Sequence, residues 1–294
     1  MAEYMISTDT SCDFPYEYVQ QHQLPLVTLF YSIDDVMGPD GSPTLENLKS
    51  FYNKMRQGAP TKTQQASIED TEKLFRTILS KGVDLLHIAF SSGLSGTANA
   101  ARLAAETLKE EFPDRKIMVV DSLCASMGQG LLVDSAIRMK EAGKSIEEVA
   151  QWLEENIPHL CHLFTVEDLK YLQRGGRISK TTALVGTMIG IKPVLHVDDE
   201  GKLVPLAKVR GRKQSLQALV DRMEQQIGSY RDSKQRIFIS HGDCEKDALL
   251  VKDTLVKTFG CAPEKIFLSA VGPVIGSHSG PGTVALFFRG KNRG

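Results

Sequence analysis

What most limits the fold of this chain is the alternation, through its first half, of short apolar runs with helix-forming stretches. That pattern builds a parallel sheet covered by helices on both faces, an α/β architecture. Candidate strands fall at 4–8, 26–31, 83–90, 116–120 and 161–166. Between them Ser67-Ile68-Glu69-Asp70 opens one helix, which Gly82 closes, and Ser145-Ile146-Glu147-Glu148 opens another, each start carrying a capping serine and acidic residues in the first turn.

The grammar changes after Gly175-Gly176. Runs at 193–197 and 203–209 flank Asp198-Asp199-Glu200-Gly201, a short hairpin signal, so a mixed or antiparallel sheet begins there. Leu216, Leu219, Val220, Met223 and Ile227 recur at helical spacing and predict an amphipathic helix over 212–228. Further strands are expected at 235–240, 265–269 and 283–288. The division is placed near 165, giving a domain of 1–165 and a smaller α/β domain of 166–294, with no low-complexity linker between them. A tight cleft between two such domains is where a ligand is expected.

Charge and targeting signals exclude several classes. Lys and Arg number 35 against 36 Asp and Glu, so the chain lacks the basic surplus that nucleic-acid binding requires. The first residues show no basic region followed by an apolar one, and no uncharged apolar run approaches a membrane span; a cytoplasmic protein is expected. Cys12, Cys124, Cys161, Cys244 and Cys261 are scattered without a Cys-x-x-Cys pair and read as reduced structural thiols. No metal site is expected, because no pair of histidines has ligand spacing.

Three polar segments are candidates for chemistry. Ser91-Ser92-Gly93-Leu94-Ser95-Gly96-Thr97 joins an apolar strand to an alanine-rich helix, where free backbone N–H groups, the positive helix end and hydroxyls converge on one point suited to a carboxylate or phosphate oxygen. A capped turn without a ligand explains the segment equally well. It is neither a Walker loop nor Gly-x-Gly-x-x-Gly, and it misses the nucleophile elbow Gly-x-Ser-x-Gly by one position, Thr97 following Gly96.

The second segment, Gly276-Ser277-His278-Ser279-Gly280-Pro281-Gly282, reads as a loop that leaves His278 accessible among small residues. Of the other histidines, His22 is assigned to solvent, and His87, His162, His196 and His241 to packing; His159 is uninformative. The third segment, Pro60-Thr61-Lys62-Thr63-Gln64-Gln65-Ala66-Ser67, reads by itself as the lead-in to a helix.

These segments together resemble the DegV family, whose characterised members include the FakB fatty-acid-binding subunits of bacterial fatty acid kinase. The resemblance runs through Ser7-Thr8-Asp9-Thr10-Ser11-Cys12-Asp13, Ser92–Thr97, Val120-Asp121-Ser122, Tyr171-Leu172-Gln173-Arg174-Gly175-Gly176-Arg177-Ile178, Ile191-Lys192-Pro193-Val194-Leu195 and His278-Ser279-Gly280-Pro281-Gly282. It implies a Rossmann-like N-terminal domain, a smaller α/β domain with a mixed sheet, and one fatty acid held between them. Carried over by position, the resemblance points to Thr61, Thr63, Ser95, Gly96 and His278 as carboxylate-binding residues, with Ser92 as an addition. It also points to Arg174 and Arg177 as contacts for a separate kinase. The first hydroxyl segment departs from the family pattern: Lys62 stands for a Thr, Thr63 for a Ser, Gln65 for a Pro and Ala66 for a Ser. Lys62 either points to solvent or adds charge near the head group.

The expected function is therefore a carrier without its own nucleotide site or cofactor, which shields an acyl tail and presents the carboxylate to an ATP-dependent kinase for acyl-phosphate formation in phospholipid metabolism. At most transient membrane contact accompanies it. The tail is expected against Ala183, Leu184, Val185, Met188 and Ile189, a weakly polar stretch that core packing explains almost as well. The alternative is a serine hydrolase with Ser95 as nucleophile, His278 as base and Asp9 or Asp121 as the orienting acid.

Overall fold

The computed structural model describes residues 3–41, 44–179, 190–232 and 235–293. Tyr4–Asp9, Leu26–Val27, Asp84–Ala89 and Ile117–Asp121 form the expected parallel sheet, ordered second, first, third, fourth. Asp84–Ala89 is buried at every position, as a strand between two helical layers must be. Its alternate residues serve opposite layers. Leu85 joins Phe75, Ile78, Ala101, Ala104 and Leu108, from the helices Ile68–Leu79 and Thr97–Glu111. Leu86 and Ile88 join Leu131, Ala136, Val149 and Leu153, from Met127–Glu141 and Ile146–Asn156. The predicted caps are present: the Ser67 side chain accepts from the Asp70 N–H, and Ser145 and Glu148 complete a reciprocal capping box.

The second sheet is six-stranded, in the order Leu203–Arg210, Ile191–Val197, Leu160–Thr165, Val284–Arg289, Ile237–His241, Ile266–Ala270. Every neighbouring pair is antiparallel except the last, so the sheet is mixed as expected. Leu160–Thr165 corrects the expectation for 161–166, which counted it with the parallel strands of the first half. It pairs with Ile191–Val197 and Val284–Arg289. A strand buried on both faces reads alike at the centre of either sheet, so its own residues do not reveal its partners. The amphipathic helix is found at Arg212–Gln226, with Leu216, Leu219, Val220 and Met223 buried on this sheet's outer face.

Two local readings change. A third, antiparallel sheet joins Leu29–Ile33 to Val36–Asp40 and to Thr61–Gln64. The run expected as one strand at 26–31 is thus divided between two sheets, and the segment read as a helix lead-in is a strand. Thr61–Gln64 is wholly polar, so its conformation comes from pairing with Leu29–Ile33 and not from alternation of its own. The segment read as a loop at 276–282 begins inside a helix, Pro273–Ser279, with Pro273 in the first turn and His278 in the last.

The two larger sheets are tied together by Arg293, whose side chain is fully buried at 1% residue exposure. Its guanidinium donates to the carbonyls of Ile157, Leu123, Asp198 and Ser122 and contacts Cys124 Sγ at 3.2 Å. Beside it the hairpin turn meets the serine-rich loop, where Ser91 Oγ donates to the Gly201 carbonyl at 2.8 Å. Gly201 has φ +74, and a Cβ there would stand 2.2 Å from Ser91 Oγ, so the contact requires glycine twice over.

Candidate ligand site

Between the parallel and six-stranded sheets lies a cavity of about 650 Å³, within the range of small-molecule sites. Its apolar wall follows from the period of two in the strands. In Leu160–Thr165 and Val284–Arg289, Cys161, Leu163, Val284, Leu286 and Phe288 face the outer helices, while Phe164, Ala285 and Phe287 face inward. Phe164 pairs with Ala285 and His162 with Phe287, so the inward residues form adjacent cross-strand rows that line the cavity along with Val197 and Leu203. His162, assigned to packing from the sequence, is part of this wall. Burial, followed by the nearby Arg293, drives its imidazole well below the usual histidine range, so it is a neutral surface.

The polar end is assembled from three segments far apart in sequence. Thr63 Oγ1 and His278 Nε2 are 2.8 Å apart, joining the strand Thr61–Gln64 to the helix Pro273–Ser279. Burial first, then Arg177 and Arg174, lowers the His278 pKa to about 3, so this imidazole is also neutral. Its Nδ1 is buried and has no hydrogen-bond partner among the described residues. The Ser95 and Thr97 hydroxyls are 2.9 Å apart, and Ser95 Oγ accepts from the Thr97 N–H. Gly96 is the N-cap of the 15-residue helix that follows, whose positive end therefore faces the cavity.

Thr63, Ser95, Gly96 and His278 thus line one cavity. Thr61 and Ser92 do not. Thr61 Oγ1 donates to the Ser277 carbonyl and accepts from Arg174 Nη2 at 2.9 Å, whereas exposed Ser92 gives its backbone N–H to Asp121 Oδ1. Lys62 points away from the cavity and pairs with Asp35 on an exposed edge, the solvent-facing alternative. Arg174 is exposed, but Arg177 is half-buried on the cavity wall, donating to the carbonyls of Gly175 and Leu94. Ala183, Leu184, Val185, Met188 and Ile189 lie outside the described residues.

A hydrolase constellation is not assembled here. Asp9 is buried and accepts from Ser11 and the Phe90 N–H, and Asp121 accepts from the N–H groups of Ser92 and Leu123. Neither carboxylate bonds His278, and the Ser95 hydroxyl is bonded to Thr97.

Sequence reading missed Gln65, Leu172 and Arg177 as lining residues. For Gln65 the two-residue step from Thr63 was the available signal, hidden because the segment was not recognised as a strand.

The model of the DegV family, described as uncharacterised proteins, matches residues 3–291. A DegV domain-containing protein of Clostridium perfringens is 41% identical over the whole of this chain and 99% of its own length. A fatty acid-binding protein of Thermotoga maritima is 32% identical, with 95% of each chain covered. Among solved structures, a DegV family protein from Thermus thermophilus described for its fatty acid binding has a TM-score of 0.85 at 29% identity, covering 99% of this chain and 100% of that one. A stearic acid-binding protein from Eubacterium ventriosum has a TM-score of 0.85 at 26% identity, covering 98% of each.

Proposed function

The chain belongs to the DegV family, and from that premise we propose that it binds a long-chain fatty acid in the cavity between its two larger sheets and presents the carboxylate to a separate ATP-dependent kinase subunit in the cytoplasm. The observation that carries this reading is one cavity with two chemistries. Phe164, Ala285, Phe287, Val197 and Leu203 offer an apolar wall, while Thr63, Ser95, Gly96 and His278 gather at a polar end beside a helix N-terminus. Each methylene withdrawn from water contributes about 0.8 kcal/mol, and a carboxylate beside the helix end meets a positive dipole.

In this reading the protein supplies burial and orientation, and phosphoryl transfer takes place on the kinase. Arg174, exposed and held by Thr61, is the docking contact on this chain's side. Arg177 is assigned to the cavity wall and its closure, given its two bonds to backbone carbonyls. Among the described residues no helix is long and apolar enough to cross a membrane.

Denaturing extraction of the purified protein followed by lipid mass spectrometry tests the binding step; about one fatty acid per chain is expected, and an empty cavity that also fails to take up added oleate would refute it. Acyl-phosphate formation with kinase and ATP tests the presentation step separately.

A further inference from the structure

A second cavity, of about 1190 Å³, shares no lining residue with the one described above. It lies where three parallel-paired strands end: Thr10 and Asp13 follow Tyr4–Asp9, Asp243 and Cys244 follow Ile237–His241, and Gly272 follows Ile266–Ala270. The carboxyl ends of parallel strands are where open α/β sheets place ligands.

Its charge is one-sided. Seven carboxylates line it against two lysines, Lys49 and Lys246. Asp243 and Asp247 are paired with Arg56 and Arg212, which leaves Asp13, Glu17, Asp40, Glu46 and Glu245. Asp13 and Asp40 are buried, at 6% and 2% exposure, and converge on one glycine: a Cβ on Gly272 would stand 2.9 Å from Asp13 Oδ1 and 3.1 Å from Asp40 Oδ1. Both Asp13 oxygens are engaged, Oδ1 by the Gly272 N–H and Oδ2 by the Ser126 hydroxyl. Asp40 Oδ1 accepts from the Val274 N–H, and the Thr10 hydroxyl bonds the same carboxylate, but Oδ2 is buried with no hydrogen-bond partner among the described residues. Burial raises the Asp40 pKa to about 7, and a cation at Oδ2 would hold the group charged. Tyr16 and Leu45, also lining residues, are 57% and 73% exposed, apolar surface that a ligand's body would cover. Among the described residues no group of three or more His, Cys, Asp or Glu side chains could hold a metal ion, which favours an organic cation.

We propose that this cavity is a second ligand site, for an organic amine: the ammonium group donates to Asp40 Oδ2 among the surrounding carboxylates, and the apolar body packs on Tyr16 and Leu45. The site stands apart from the fatty-acid reading, because the two cavities have no lining residue in common.

The test is ligand-observed NMR titration of wild type, Asp40→Asn and Tyr16→Ser with phenethylamine, phenethyl alcohol and hydrocinnamate, with thermal melts to verify folding. Wild type should bind the amine saturably, and the alcohol and the acid about tenfold or more weakly. Asp40→Asn keeps an acceptor for the Val274 N–H and should weaken the amine about tenfold or more, while the alcohol changes less than about twofold. Tyr16→Ser, on the surface, should weaken amine and alcohol by the same factor. Failure of wild type to bind the amine saturably overturns the proposal, as does an alcohol bound as tightly as the amine. So does amine affinity within about twofold of wild type in Asp40→Asn. Should that variant not fold, unchanged amine affinity in Tyr16→Ser overturns the proposal instead.

Discussion

Gly175 and His278 occupy space that a single added carbon would make incompatible: a Cβ on Gly175 would stand 2.0 Å from His278 Nδ1. The adjacent Gly176 differs, with φ +72 and nothing within 4 Å of its own added Cβ. Gly175→Ala should therefore displace the imidazole from Thr63 and weaken fatty-acid binding about tenfold or more, by loss of one hydrogen bond to charge. Gly176→Ala should instead lower stability by about 1 kcal/mol through backbone strain and leave affinity near wild type. Titration calorimetry beside thermal melts separates the two, and matched behaviour of the variants would contradict this account.

Arg293 is a buried charge satisfied by carbonyls of several segments, with no carboxylate among its described contacts. Arg293→Met leaves those carbonyls unsatisfied and should cost about 3 kcal/mol or more. For a chain of this size that corresponds to a fall in Tm of about 5 °C or more. A calorimetric scan showing no change would mean that water replaces the guanidinium without loss.

His278 gives the pH dependence a definite sign. In the folded protein its imidazole stays neutral down to about pH 3, whereas in the unfolded chain it takes a proton near pH 6.5. Between those values the unfolded state binds more protons, so this contribution is complete above pH 6.5 and is lost as the pH falls towards 3. Asp40 works in the opposite direction: burial raises its pKa to about 7, so acidification relieves a buried charge. The His278→Gln variant isolates the histidine, and its Tm relative to wild type should rise between pH 8 and pH 4.5. A constant difference across that range would remove the assigned protonation state.

Arg174→Ala should leave oleate affinity near wild type, because the side chain is exposed and does not line the cavity. Acyl-phosphate formation with kinase and ATP should fall, most clearly at low carrier concentration. Release of bound lipid together with a large drop in Tm would instead make Arg174 an internal strut for Thr61 and the helix Pro273–Ser279, and the docking role would be rejected.

The sequence was most readable where periodicity and capping act locally. The caps at Ser67 and Ser145, the hairpin around Gly201 and the amphipathic face from Leu216 to Met223 are all formed within a few residues of the signal. It was least readable where the determining partner is distant. Leu160–Thr165 is apolar enough for either sheet, and its place depends on Val284–Arg289, more than a hundred residues later. Thr61–Gln64 has no strand pattern and is extended because Leu29–Ile33 pairs with it. The same distinction separates the site residues. The loop that holds Ser95 and Gly96 was visible as a strand–loop–helix junction, with the individual residues named through the family resemblance, while the different surroundings of Arg174 and Arg177 depend on Thr61 and Leu94, far away in the chain.

The order of strands also limits when the second sheet can be completed. Val284–Arg289 is an interior strand of the six-stranded sheet, placed between Leu160–Thr165 and Ile237–His241, yet it follows both in the chain. The parallel sheet needs nothing beyond Ile117–Asp121 for its pairing, so it is complete as a template long before the second sheet has its middle. During synthesis, Leu160–Thr165 and Ile237–His241 emerge with the edges destined for that strand still open, and open strand edges are prone to pair with other chains. Ala285 and Phe287 come from the same late strand. A nascent chain therefore lacks this cavity until Val284–Arg289 is inserted, and under the proposed function lipid uptake would report finished folding.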